Sequence, residues 1–270
     1  MLKNSLLEKL EAGKVALGMR INDPEMVELC AHLGFDWFML DQMFTANDWS
    51  RTQDLMRTGE AAGLTPVVRV QANPWLGYDH SVAVNVSRAH GIGAQFIMVS
   101  NSCKREIDES LVVAKDWHSK ALWIHPFDSI DDWAGKTDKM AHATYIIPQP
   151  ESLGALEELE EIIALPGVKM LFMASTDASK MITGEKKPDW NHPKLWEYMA
   201  RIVELGRKNG VVIGANTSYA YTLKELQGRV RRLHEAGVRM IMIQGSAFFF
   251  QVAMNEFLAP LRDELGIERR

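Results

Sequence analysis

Two acidic side chains, Glu151 and Asp177, each follow an apolar run and each stand at the start of a helix-like segment. The runs cover residues 143–150 and 168–176. If both are parallel strands of one sheet, both carboxylates emerge at its C-terminal edge. Oxygen ligands brought together in this way suit a hard divalent cation such as Mg2+ or Mn2+. Each acid also has a plain structural reading, Glu151 offsetting the macrodipole in the first turn of a helix and Asp177 serving as a turn residue. Either acid alone fits that plainer reading, so the surrounding elements must decide.

Strand-like and helix-like segments alternate from end to end, as in a parallel sheet with helical crossovers. The strand candidates are residues 15–19, 37–40, 66–70, 96–99, 145–147, 170–173, 211–213 and 240–243. Eight strands close a barrel. A ninth run, Ala121-Leu122-Trp123-Ile124, reads as part of an excursion. Asp23 is placed to cap a helix that begins at Pro24, buries Met26, Leu29, Cys30 and Leu33, and stops at Gly34. His192 precedes Pro193 in the same way, before a helix that buries Trp196, Met199, Ala200 and Val203 and ends near Gly210. Residues 248–258 are apolar around most of a helix, more than the outer wall of one barrel covers, so helix 245–262 is expected at a subunit interface.

Composition narrows the function. The chain has 270 residues and no Pro/Gly/Ser-rich linker, which fits a single barrel domain. A net charge of -5, with no basic run interleaved with aromatics, argues against a nucleic-acid groove. The densest basic cluster, Arg229-Val230-Arg231-Arg232, reads as the solvated face of a helix. Charges interrupt the N-terminal apolar stretch, no run is long enough to span a bilayer, and only Cys30 and Cys103 are present. A cytoplasmic protein without a membrane partner, a disulfide framework or a cysteine zinc site is expected.

At the C-terminal ends of the strands stand Asp41, Arg69, Ser100, Gln149 with Glu151, Ser175 to Asp177, Asn216 and Ser246. Arg69 interrupts a valine strand, Val67-Val68-Arg69-Val70, and a buried guanidinium needs a partner. That partner is either an acid, Asp41 or Glu151, or an anionic substrate shared with a metal.

Gly34-Phe35-Asp36-Trp37-Phe38-Met39-Leu40-Asp41, Val67-Val68-Arg69-Val70, Gly93-Ala94-Gln95, Gln149-Pro150-Glu151-Ser152, and Pro166-Gly167-Val168 followed by Asp177-Ala178-Ser179 together resemble the HpcH/HpaI aldolase (citrate lyase-like) family. The resemblance runs from about Leu10 to the final helix. It implies a (β/α)8 TIM barrel of the phosphoenolpyruvate/pyruvate-binding type, acting as a class II lyase on a 2-oxo acid through a metal-bound pyruvate enolate. Glu151 and Asp177 would ligate Mg2+ or Mn2+, with Co2+ or Zn2+ as further candidates. Arg69 would hydrogen-bond the keto oxygen, Gln149 would help orient it, and backbone amides of Ala174, Ser175 and Thr176 would bind the carboxylate. The resemblance also implies a homo-oligomer, a hexamer built as a trimer of dimers. A cation and a guanidinium aimed at the developing enolate charge act where charge accumulates, whatever the family.

The chain departs from the family pattern in one chemically important place. Where Asp-x-Glu-His is usual, it has Asp41-Gln42-Met43-Phe44, so the acid remains and the histidine is lost. Ala174-Ser175 replaces a usual Gly-Pro, Ser100 a usual proline, and Lys169 a frequent acid. Proton transfer then falls to Asp41, a metal-bound water or His125, or the reaction needs no such base. Phe44 and Trp49 point to a larger or less polar substrate, with core packing as the other account of Phe44. Aldol cleavage or addition is the leading reading. Decarboxylation, hydrolysis and citrate-synthase-like condensation on the same enolate are alternatives, as is a barrel that binds a 2-oxo acid without turnover.

Overall fold

The computed structural model describes residues 5–45, 47–72, 81–115 and 144–265, so His125 and the run 121–124 lie outside the described residues. Eight strands run in chain order: β1 (Ala16–Arg20), β2 (Trp37–Asp41), β3 (Thr65–Gln71), β4 (Phe96–Ser100), β5 (Tyr145–Gln149), β6 (Met170–Met173), β7 (Val212–Asn216) and β8 (Met240–Met242). The helices are α1 (Ser5–Glu11), α2 (Pro24–His32), α3 (Trp49–Ala62), α4 (Ser81–Gly91), α5 (Lys104–Lys115), α6 (Leu153–Glu157), α7 (Leu159–Ile163), α8 (Ser175–Thr183), α9 (Pro193–Asn209), α10 (Leu223–Glu235) and α11 (Ser246–Leu265). The strands form one sheet in the order β5-β4-β3-β2-β1-β8-β7-β6, every recorded pairing parallel. β5 and β6 lie side by side and complete the ring without pairing. This is a (β/α)8 TIM barrel.

Strand alternation sorts the core into two layers. Val68, Val70, Ile97, Val99, Leu171 and Ile213 face outward and pack under the helices. Ala16, Trp37, Met39, Val67, Phe96, Met98, Ile147, Met170, Phe172, Met240 and Met242 fill the barrel, with Leu6 and Leu10 of α1 in the same cluster. Large side chains fit there because other strands contribute glycine. A Cβ on Gly18 would fall 2.2 Å from the Trp37 ring and one on Gly214 2.6 Å from Phe172, whose ring meets Trp37 edge-on at 6.0 Å.

The helix boundaries follow their caps. Asp23 accepts from the Met26 amide, Pro24 opens α2 and Gly34 sits at φ 85°. His192 Nδ1 accepts from the Lys194 amide, and Gly210 ends α9 at φ 66°. The buried faces differ from expectation. α2 buries Val27 and Cys30 and leaves Leu29 and Leu33 exposed, while α9 buries Leu195, Met199 and Ile202 and exposes Ala200. Arg229 is not on a solvated face either. It is buried, donates to the Thr217 carbonyl and stacks 4.9 Å from the Trp190 ring, while Arg232 lies 3.7 Å from that of Trp196. α11 carries Phe250, Met254 and Phe257 exposed along its length. No helix among the described residues is long and apolar enough to cross a membrane.

Candidate active site

Following the inward-facing residues up each strand ends the apolar filling in a polar layer. The alternation runs Ala16-Gly18-Arg20, Trp37-Met39-Asp41, Val67-Arg69, Phe96-Met98-Ser100, Tyr145-Ile147-Gln149-Glu151, Val212-Gly214-Asn216 and Met240-Met242-Gln244. All these polar ends lie at the C-terminal rim, the functional face of a parallel barrel.

Register decides which of them meet. Asp41 pairs with Arg69 across β2 and β3, and Ser100 with Gln149 across β4 and β5. Asp41 accordingly takes two bonds from Arg69, Nε to Oδ1 at 3.1 Å and Nη2 to Oδ2 at 2.6 Å. The Met43 amide adds a bond to Oδ1 at 2.9 Å, and Arg20 Nη1 lies 3.5 Å from Oδ2. Burial alone would raise the Asp41 carboxyl, but the Arg69 guanidinium and the Met43 amide together hold it below its ordinary value. A carboxylate engaged on both oxygens and held acidic is a poor proton acceptor. A guanidinium offers five N–H donors, so Arg69 keeps three after serving Asp41. Ser100 Oγ donates to Gln149 Oε1 at 2.8 Å, which leaves the amide NH2 as the end able to bind a ligand.

Glu151 is the electrostatic outlier. It is only 5% exposed, and its Oε1 is buried without a hydrogen-bond partner. Burial pushes its carboxyl up to about 7 against the pull of Arg69, and the charges of Asp177 and Asp41 push the same way. Asp177, in the first turn of α8, is more open and pairs with Lys180 at 2.5 Å. At the start of α8, the Ser175 amide donates to Asn216 Oδ1 at 2.9 Å and the Thr176 hydroxyl to Ser218 Oγ at 3.0 Å. The Ser175 amide expected to bind a substrate carboxylate is therefore already engaged. Phe44 is 68% exposed, with Arg69 5.3 Å from its ring centre, so core packing does not explain it. Trp49 instead packs against the main core.

These groups open onto a cavity of about 360 Å3 whose wall includes Arg20, Phe44, Arg69, Ala174, Thr176 and Asp177. Gln149 and Glu151 are buried and do not contribute to that wall. Among the wall residues that sequence reasoning missed are Arg20, Lys180, Lys186 and Gln244. The two-residue alternation of β1 and β8 points to Arg20 and Gln244. Among the described residues no three His, Cys, Asp or Glu converge to cage a metal. Two carboxylates, one carrying an orphaned oxygen, nevertheless fit an Mg2+-type ion, which takes few protein ligands and keeps water or substrate in its other positions.

Residues 16–243 match the HpcH/HpaI aldolase/citrate lyase family. The chain belongs to that family. Among curated members it is 27% identical to a 4-hydroxy-2-oxovalerate aldolase of Novosphingobium aromaticivorans, over 98% of this chain and 97% of the relative. It is 25% identical to a hydroxypyruvate/pyruvate aldolase of Paraburkholderia phytofirmans, over 91% and 92%. Among solved structures, an HpcH/HpaI aldolase/citrate lyase family protein of Burkholderia cenocepacia superposes with a TM-score of 0.75 at 25% identity, covering 96% of this chain and all of that one. An HpcH/HpaI aldolase of Desulfitobacterium hafniense shares the fold with a TM-score of 0.79 at 22% identity, over 99% of this chain and all of that one. Membership makes aldolase-type lyase chemistry the frame for the polar rim of this barrel.

Proposed function

We propose that this member of the HpcH/HpaI family is a divalent-metal-dependent lyase that cleaves or forms the bond at C3 of a pyruvate unit. The observation that carries the reading is Glu151, a buried carboxyl with an unpartnered oxygen, under the influence of both Asp177 and Arg69. Glu151 and Asp177 would hold the metal, which would supply Lewis-acid stabilisation of charge on a keto oxygen. Arg69 directs its uncommitted N–H groups at that same oxygen as it becomes an enolate, and the Gln149 amide orients it. Asp41 positions Arg69 through the bidentate pair and is not the base. Proton transfer at the C4 hydroxyl then falls to His125 or to solvent. Phe44 lies over the Arg69 guanidinium and shields that one charge on its open side.

Pyruvate release from 4-hydroxy-2-oxo acids, followed by NMR, tests this. Turnover is expected with Mg2+ or Mn2+, lost after chelation and restored by adding either ion. Full turnover by chelator-treated protein overturns the metal assignment.

We also propose that α11 seats in a subunit interface, because Phe250 and Phe257 are more than half exposed and Met254 lies beside them. Light scattering at micromolar concentration should give a mass above the 30.5 kDa of one chain, and a monomer rules the interface out.

A further inference from the structure

A third charge belongs with the two carboxylates of the proposed metal site. Glu151 follows β5, and Asp177 lies in the first turn of α8 after β6, two strands that run side by side. Lys180, one helical turn beyond Asp177, places its ammonium 2.5 Å from Asp177 Oδ1 and lines the same cavity. No other cation pairs with Asp177 among the described residues. The Lys180 charge also reaches the neighbouring strand end. Burial chiefly pushes the Glu151 carboxyl up, and Lys180 is one of the two cations that pull it back, the other being Arg69.

The plainest account of Lys180 is an i,i+3 ion pair that steadies a short helix. A pair with that role alone belongs on the solvent face, whereas Asp177 and Lys180 are both part of the cavity wall. α8 is also fixed without it. Ser179 Oγ donates to the Asp189 carbonyl at 3.0 Å and accepts from the Asp189 amide at 2.9 Å, and the Gly184 amide closes the helix on the Lys180 carbonyl at 2.9 Å. With the helix held at its neighbouring residue, the Lys180 side chain is the part that must adjust when another cation reaches Asp177.

We infer that Lys180 is a tethered competitor for the divalent cation and sets how tightly Glu151 and Asp177 hold it. This rests on the metal-dependent reading and adds a determinant of metal affinity that is not itself a ligand. A dication arriving at Asp177 meets one of two costs. If it takes Oδ1, the ammonium must give up a charge-assisted bond. If it takes the other oxygen, a cation stays on the same carboxylate and repels it. Two carboxylates neutralise a dication and leave nothing for the ammonium. A half-exposed ion pair is weak by itself, but the double charge of the metal enlarges the repulsion, so the cost is about tenfold in dissociation constant. The metal is then loaded reversibly, and its occupancy follows its supply.

The test is the affinity of the chelator-treated protein for Mn2+ at pH 8, with free Mn2+ counted from its electron paramagnetic resonance signal. Lys180→Met keeps the helix propensity and removes the charge, and it should bind Mn2+ about tenfold more tightly than the native protein. Lys180→Gln should do the same, so the result does not hang on one replacement. Lys180→Arg keeps a cation at the position and should stay within about twofold of native. Lys186→Met removes a charge from the same cavity wall without touching the pair, and its gain should be about threefold at most. Melting curves give an independent sign, since a fixed excess of Mn2+ should raise the melting temperature of Lys180→Met by about 3 °C more than that of the native protein. Unchanged or weaker Mn2+ binding in Lys180→Met and Lys180→Gln, or an equal gain in Lys186→Met, overturns the competitor and leaves the metal site standing. Failure of the native protein and of every variant to bind Mn2+ defeats the metal reading and the competitor with it.

Discussion

Arg69→Lys should lower turnover by about 10^2- to 10^3-fold, in the range found for removing one preorganised donor from a developing oxyanion. Substrate affinity should change far less. The buried Arg69 guanidinium does two jobs, holding both oxygens of Asp41 and keeping three N–H groups for a ligand. A lysine retains the charge, so Asp41 is not left unpaired, but one ammonium nitrogen cannot span both carboxylate oxygens and still reach the keto oxygen. The lost bond is the one that strengthens as charge moves onto that oxygen, so the deficit belongs in kcat more than in KM. If Arg69→Lys raises KM with kcat intact, or changes neither, Arg69 is a structural partner of Asp41 and the enolate is stabilised elsewhere.

How much of this site could be read from the sequence depended on what kind of signal each residue gave. Asp41, Arg69, Gln149 and Glu151 were legible because each interrupts or ends an apolar run, and the rim of a parallel barrel gathers such interruptions. All eight strands were legible for the same reason, although β1 to β5 and β7 run further toward their C-terminal ends than their apolar cores do. That extension is where the site lies, since Ser100, Gln149 and Asn216 each occupy the last position of a strand. Arg20 was lost because its strand was taken to stop at Met19, one residue short. The partner of Arg69 was a choice between Asp41 and Glu151 that only register resolves, and the Asp41 to Arg69 pairing resolves it. Arg229 was misread because no local pattern announces that Trp190, distant in sequence, will cover it, whereas Arg231 and Arg232 of the same cluster are exposed as expected. Which helix faces are buried also depended on neighbours, and the outward turn of Leu29 and Leu33 is not encoded in the α2 segment alone.

Glu151→Gln should bring metal-dependent activity below detection and at the same time remove a pH dependence of stability. The Glu151 carboxyl ordinarily titrates near 4.5 and is pushed up to about 7 in the folded chain, chiefly by burial. Between those values the native state holds a proton that the unfolded chain has released, so metal-free stability falls as pH rises. The contribution is fully present below about 4.5 and gone once pH has risen through about 7, a loss on the order of 3 kcal/mol. Glutamine fills the same space without a charge, so melting curves of metal-free Glu151→Gln should lack that slope between pH 5 and 8. Mg2+ requires the ionised carboxylate, so it should raise the native melting temperature strongly at pH 8, weakly at pH 5.5, and at neither pH in Glu151→Gln. Asp177→Asn should also lose the metal-dependent activity. Because Asp177 is one of the charges that oppose ionisation of Glu151, its removal should shift the stability loss to lower pH. Retained activity in both variants, or a slope and an Mg2+ response that persist in Glu151→Gln, would place the metal on other residues and leave Glu151 as a buried acid at a helix start.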